Sequence, residues 1–193
     1  MQPERLTAFT DGVLAIIITI MVLELKAPHG TDLAALAQLT PVFLNYILSF
    51  LYIAIYWNNH HHLLHASRRV DGAILWANMH LLFWLSLIPF ATAWMGENHF
   101  AATPTAVYGV ALLMPAIAYK VLQTAIVRRN GFGEDLAKAL GNDVKGLLSP
   151  ALYALATGCA FVAPWVSQTI FVFVALMWLI PDRRIERIFQ PGK

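Results

Sequence analysis

The chain has 193 residues, of which 59% are hydrophobic and 12% charged, with a formal net charge of +2 and a mean hydropathy of +0.61. That apolar share is above, and the charged share below, what ordinary soluble domains carry, so lipid is the expected solvent and a soluble enzyme domain is excluded. The basic residues are dispersed at segment ends instead of forming a patch that could follow a phosphate backbone, which argues against nucleic acid as a partner.

A membrane span needs about 20 predominantly apolar residues, and the sequence offers six such stretches: 6–25, 39–57, 73–94, 105–127, 144–162 and 165–180. Residues 1–193 therefore read as one all-α integral membrane domain with six transmembrane helices. The first stretch has Arg5 before it, Glu24 at its end and Lys26 and Pro28 after it, with no small-residue cleavage pattern. It is expected to be a retained helix and not a signal peptide. Within it, Gly12, Ile16, Thr19, Ile20 and Leu23 fall on one helical face. Repeated around a symmetry axis, such a face would form rings of bulky aliphatics that can close a pore by dewetting. Any apolar spanning helix carries an aliphatic stripe, so the pattern alone does not establish a pore. Asp11 lies just before the long apolar run that starts at Gly12, where an unpaired charge grows costly with depth. Arg5, Thr10 and groups on neighbouring helices are its candidate partners.

The second stretch ends near Trp57 and is followed by His60, His61, His62 and His65. His61 and His65 are four apart and share a face, which is permissible metal-ligand spacing. No cysteine or carboxylate lies within the cluster to complete a site, so hydrogen bonding to neighbouring helix ends is the expected role, and a metal site is not. Asp71 opens the third stretch as a helix cap. Inside that stretch Asn78 and His80 are candidates for hydrogen bonds across helices. Pro89 should bend the helix there, with Thr92 accommodating the freed backbone.

The fourth stretch begins Thr105-Ala106-Val107-Tyr108-Gly109, superficially like a potassium selectivity filter. It lacks the first glycine and opens an apolar helix, which rules that function out. Residues 131–145 hold Glu134, Asp135, Lys138 and Asp143 and read as a solvated connection. Cys159, the single cysteine, sits in the fifth stretch, so an intramolecular disulfide and a cysteine metal site are both excluded. Threading six spans places Arg5, Arg68, Arg69, Arg128, Arg129, Lys138, Lys145, Arg183, Arg184, Arg187 and Lys193 on one side, with Lys26 opposite. By the positive-inside rule both termini are cytoplasmic. No nucleophile elbow, phosphate-binding loop or dinucleotide fingerprint occurs, so nothing supports catalysis.

The pattern Arg5-x-x-x-Phe9-Thr10-Asp11-Gly12-Val13, followed by Ala15-Ile16, Thr19 and Leu23-Glu24-Leu25, resembles the signature of the transmembrane protein 175 family. Tyr56-Trp57-x-x-His60-His61, Leu87-Ile88-Pro89-Phe90-x-Thr92-Ala93 and Trp178-Leu179-Ile180-Pro181-Asp182-Arg183-Arg184 extend the resemblance over nearly the whole chain. It implies a six-helix, non-P-loop channel fold and a potassium-permeable cation channel. One repeat implies a homotetramer, a multi-pass protein of a prokaryotic plasma membrane whose partners are membrane lipids and monovalent cations.

The same resemblance places Ile16, Ile20 and Leu23 at a hydrophobic constriction, with Thr19 as the polar pore-lining residue. Arg5, Phe9, Thr10, Asp11, Trp57, His60 and Asn78 would form a structural network near the cytoplasmic side. No cofactor is implied beyond the potassium ion as the permeant species. Thr10 stands where the family usually has serine, which keeps the hydroxyl. His62 stands where a basic residue is common, which makes any charge there depend on pH. The alternative is a proton-coupled secondary transporter, suggested by the histidines and the Asp11–Arg5 pair but opposed by the lack of an inverted repeat or paired interrupted helices.

Overall fold

A computed structural model describes residues 2–65, 67, 69–130 and 144–179. Those residues form an all-helical unit. Helix α1 spans Pro3–Leu23, α2 Leu33–Ala37, α3 Thr40–His65, α4 Gly72–Leu85, α5 Ile88–Glu97, α6 Ala102–Asn130, α7 Val144–Cys159 and α8 Pro164–Leu179. Among the described residues, four segments are long and apolar enough to cross a membrane: α1, α3, the near-continuous Gly72–Glu97 formed by α4 and α5, and α6. At 1.5 Å per residue, the 21 residues of α1 reach about 31 Å, the thickness of a hydrocarbon core. The described parts of α7 and α8 have 16 residues each and lie on the predicted fifth and sixth stretches.

Local sequence sets the boundaries. Pro3 at the first position starts α1 without spending a backbone donor. Asp71 caps α4 by accepting from the Ile74 amide at 3.0 Å, and its other oxygen pairs with Arg129 at 3.3 Å. Pro89 divides the third span: α4 ends at Leu85 and α5 begins at Ile88, because proline cannot supply the amide its carbonyl partner one turn earlier would need. The Thr92 hydroxyl does not serve that freed carbonyl. It donates to Ile88 O at 2.7 Å and lies 2.7 Å from Ser49 Oγ, so it ties α5 to α3.

Helix α3 runs eight residues beyond Trp57, where the apolar stretch ends, and so carries the histidines on its last two turns. Polar side chains there end the apolar run without ending the helix, since no breaker intervenes. The short α2, capped by Asp32 on the Ala35 amide at 2.9 Å, was not signalled by hydropathy. Between α5 and α6 the chain turns on His99 and Phe100, both at positive φ (48° and 59°), conformations disfavoured for residues with a Cβ. Phe100 N bonds to Met95 O at 3.0 Å and its ring packs on the core, which offsets that strain.

α6 is the central pillar, packed on α4, α5, α7 and α8, while α1 packs on α3, α4 and α5. Gly109 permits the α6–α7 approach: a Cβ there would meet Thr157 and lie 3.3 Å from the Phe171 ring. The segment that resembles a selectivity filter is therefore ordinary helix, with Tyr108 buried and bonded to Ser49 at 2.9 Å. At the other end of α6, Asn130 receives the Arg69 amide and donates to Ser67 and to the Arg69 carbonyl, fastening the α3–α4 connection. Arg68, the 131–143 connection and the residues from 180 onward lie outside the described residues.

Candidate functional site

Helix α1 has two unlike faces. Leu6, Thr10, Leu14, Ile17 and Met21 are buried against α3, α4 and α5. The opposite face is open: Ile16 is 59% exposed, Ile20 42% and Leu23 78%, with Thr19, Ala15 and Gly12 exposed among them. Gly12 has no neighbouring side chain within 4 Å of where a Cβ would stand. Exposed aliphatics are unremarkable in a membrane protein, so chemistry is the discriminating feature. The outer faces of α3, α4 and α8 present Phe43, Phe50, Trp76, Phe83, Trp165 and Phe173, bulky side chains suited to lipid. The open face of α1 carries Phe9 near its start, and from Gly12 to Leu23 it mixes glycine, alanine and a hydroxyl with branched aliphatics, a composition that suits contact with other protein or a shared axis.

Thr19 donates its hydroxyl proton to the Ile16 carbonyl at 2.9 Å. Its oxygen lone pairs are thereby left on the open side. The α1 carbonyls through this stretch are committed to intrahelical bonds, so they cannot form a carbonyl filter. Along the axis Ile20 lies about 6 Å and Leu23 about 10 Å beyond Ile16 at helical rise.

Below this stripe two bridges tie α1 to its neighbours. In one, Trp57 on α3 donates its indole N–H to Asp11 at 2.9 Å. In the other, His60 on α3 donates from Nε2 to Asn78 Oδ1 at 2.7 Å, and Asn78 on α4 donates from Nδ2 to Thr10 Oγ1 at 3.0 Å. Thr10, His60 and Asn78 are at most 1% exposed. A directional chain of hydrogen bonds in so dry a place fixes the relative rotation of three helices, because any slip orphans a buried polar group.

Of the residues expected in this network, Thr10, Asp11, Trp57, His60 and Asn78 come together. Arg5 and Phe9 do not. Both lie on the open face in line with Gly12 and Ile16, and among the described residues Arg5 makes no ion pair with Asp11. The six-residue offset explains this, since it turns the two side chains through about 240° at 100° per residue. His80 also departs from expectation: it is exposed and accepts from Trp84 on its own helix at 2.9 Å, not across helices. His61 and His65 do share a face, with ring centroids 4.4 Å apart, and His61 stacks toward Trp57 at 6.1 Å. No group of three metal-ligating side chains occurs among the described residues.

A second polar layer escaped sequence reasoning. Asn45 donates to Thr92 O at 2.5 Å, Thr92 bonds to Ser49, and Ser49 to Tyr108, joining α3, α5 and α6. Tyr52 donates to Phe171 O on α8 at 2.6 Å. The signal was present, since Asn45, Ser49, Tyr52 and Tyr56 follow one another at spacings of four, three and four along α3. On the side away from the histidines, Lys26 and Glu97 form an exposed ion pair at 2.7 Å between the segment after α1 and the end of α5. The Glu97 carboxylate, by hydrogen bond and charge, holds the Lys26 ammonium above its usual 10.5.

Comparison with known proteins gives this geometry a context. The family model described as endosomal/lysosomal potassium channel TMEM175 matches residues 5–89. A protein named as a potassium channel from Chryseobacterium sp. (strain P1-3) is 52% identical over 97% of each chain. Another so named, from Streptomyces collinus, is 32% identical over 84% of each. Among solved structures, a lysosomal potassium-selective channel TMEM175 homolog from Chamaesiphon minutus superposes with a TM-score of 0.80 at 28% identity, covering 92% of this chain and 96% of that one.

Proposed function

This chain belongs to the TMEM175 family of potassium channels, which are not enzymes, and we propose that four copies of it enclose a potassium-permeable pore lined by the open face of α1. Each subunit crosses the membrane six times, with both termini in the cytoplasm of a prokaryotic cell. Ile16, Ile20 and Leu23 form stacked aliphatic rings that exclude water when close and admit hydrated potassium when they separate. Thr19 contributes the acceptor oxygens between those rings, and Glu24 biases the outer mouth toward cations.

The observation that carries this reading is the pairing on α1 of a well-buried face with an open one that holds glycine, alanine and threonine among its aliphatics. One subunit is too small to surround a pore with a single copy of α1, so an axis shared between copies is required. With no carbonyl filter, discrimination comes from constriction width, hydration cost and vestibule charge, and selectivity is moderate.

The test is potassium flux into proteoliposomes under a potassium gradient, read by membrane potential, for the native protein and Ile16→Asn. An amide ring at that level wets the constriction, so flux rises or potassium preference falls. Absence of flux from both proteins, with a folded tetramer verified, removes the channel reading. Flux that saturates and is coupled to protons in fixed stoichiometry would instead indicate a transporter.

A further inference from the structure

Between α6 and α7, beside the start of α4, runs a groove of about 650 Å³. Its α6 wall has two parallel ridges at helical spacing. Ile117, Val121 and Ala125 form an apolar one, while Lys120, Thr124 and Arg128 form a polar one. Leu147 and Pro150 of α7 make the facing wall, and Arg129 stands at the mouth. This is an apolar slot with cations along one side and at one end.

The three cations are not equivalent. Arg129 is paired with Asp71. Arg128 is exposed and makes no hydrogen bond or ion pair among the described residues. Lys120 lies about 12 Å deeper along α6 than Arg128 at helical rise, half-buried, and its ammonium donates to the neutral Gln123 carbonyl oxygen at 2.9 Å. An ammonium at such depth, served by one neutral acceptor, has donors left over and a charge uncompensated.

The geometry points to a binding site for an anionic phospholipid of the cytoplasmic leaflet in this groove, its phosphate held by Arg128 and Lys120 and its first acyl carbons lying along Ile117, Val121 and Leu147. Charge complementarity and an apolar floor select a lipid over a free anion, because a soluble phosphate leaves the apolar walls uncovered. Basic clefts between spanning helices on the cytoplasmic side suit such headgroups. The groove is built on α6 and α7, whereas the open face belongs to α1, which packs on α3, α4 and α5; the groove and the open face are thus built on different helices. The inference rests on the proposed orientation of α6 and not on the pore.

The test measures lipid retained by the purified full chain from nanodiscs of equal parts phosphatidylcholine and phosphatidylglycerol, read by mass spectrometry of the complex after the bulk bilayer is stripped away. A basic side chain near an anionic surface accounts for about a fivefold preference. Lys120→Gln with Arg128→Gln is therefore expected to cut retained phosphatidylglycerol by at least about fivefold, toward a limit of about 25-fold, with phosphatidylcholine unchanged. Arg128→Gln alone, at an exposed and unpaired position, keeps the fold and should show about half of that effect on a logarithmic scale. Equal retention by native and variant protein overturns the site. So does complete displacement of the lipid by excess inorganic phosphate, which would mark a free-anion site. Because the readout is bound lipid, a failed flux assay leaves this result standing, and the reverse.

Discussion

Asn78→Ala isolates the contribution of the buried bridge between α1, α3 and α4. Asn78 receives from His60 and donates to Thr10, and all three side chains are shielded from solvent. Removing the amide deletes both bonds and leaves His60 Nε2–H and Thr10 Oγ1 facing a small apolar void. Hydrogen bonds between membrane helices average about 0.6 kcal/mol and reach about 1.7, so the two together account for about 1.2 to 3.4 kcal/mol. The cavity adds to this, and the upper half of that range is expected because neither orphan has water to turn to. Reversible unfolding in mixed micelles by added anionic detergent measures the change. A double-mutant cycle with Thr10→Val separates hydrogen bonding from cavity: coupling of about 0.6 to 1.7 kcal/mol is expected between the two sites. Additivity within about 0.3 kcal/mol would refute the bridge as a bonded unit, whatever the size of the single effects.

Other perturbations probe different parts of the molecule. Gly109→Ala places a methyl against Thr157 and 3.3 Å from the Phe171 ring, so α6 and α7 must part, at a cost of about 1 to 3 kcal/mol read in the same unfolding assay. Trp57→Phe keeps the ring but removes the indole donor to Asp11; with the carboxylate left short of a partner, the variant should lose stability and show altered flux, whereas Trp57→Phe with Asp11→Asn should recover most of the loss. The exposed Lys26–Glu97 pair should contribute little, and Lys26→Gln should leave the melting temperature and its salt dependence nearly unchanged. Its sign with pH is fixed: a lysine whose folded value is raised above 10.5 lends stability that is fully present below 10.5 and is lost only as pH climbs through the higher folded value, so melting temperatures across neutral pH should not move on its account.

The hydropathy of the chain made its class and the location of each apolar segment legible, because spanning helices are written as long uniform runs. Exposure of Gly12, Ile16, Thr19, Ile20 and Leu23 on one face was legible for the same reason that it was ambiguous: helical period assigns a face but not what meets it. The motif residues at 10, 11, 57, 60 and 78 could be named together only through family resemblance, since their separation in sequence carries no distance. What the sequence hid was rotation. Arg5 and Phe9 belong to the same motif as Thr10 and Asp11, yet one residue of helix turns Phe9 outward and Thr10 inward. The Asn45–Thr92–Ser49–Tyr108 layer was hidden differently, because small hydroxyls scattered through apolar runs barely alter hydropathy although each must find a partner once buried.

The placement of hydrogen bonds on α1 has a mechanical consequence for the proposed gate. Among the described residues, Thr10 and Asp11 carry the side-chain bonds from α1 to other helices, and both lie in its first half. From Leu14 to Met21 the inward face is held by apolar contact; among the polar side chains there, Thr19 bonds to its own helix. Apolar contact is non-directional, so it yields to a small rotation or tilt at far lower cost than a buried hydrogen bond does. The upper half of α1 can thus shift against α3 and α5 without orphaning a buried polar group, the exposed Lys26–Glu97 pair beyond its end being open to water, while the lower half cannot. Ile16, Ile20 and Leu23 all lie in the half that is free to move, and the fixed point near Asp11 adjoins Gly12, where no side chain obstructs a change of angle. An opening that widens toward Leu23 and leaves the Thr10–Asn78–His60 bridge intact is the motion this arrangement allows most cheaply. A disulfide or cross-link that immobilises α1 at the level of Ile20 should therefore abolish flux, and one placed at the level of Leu6 should leave flux unchanged.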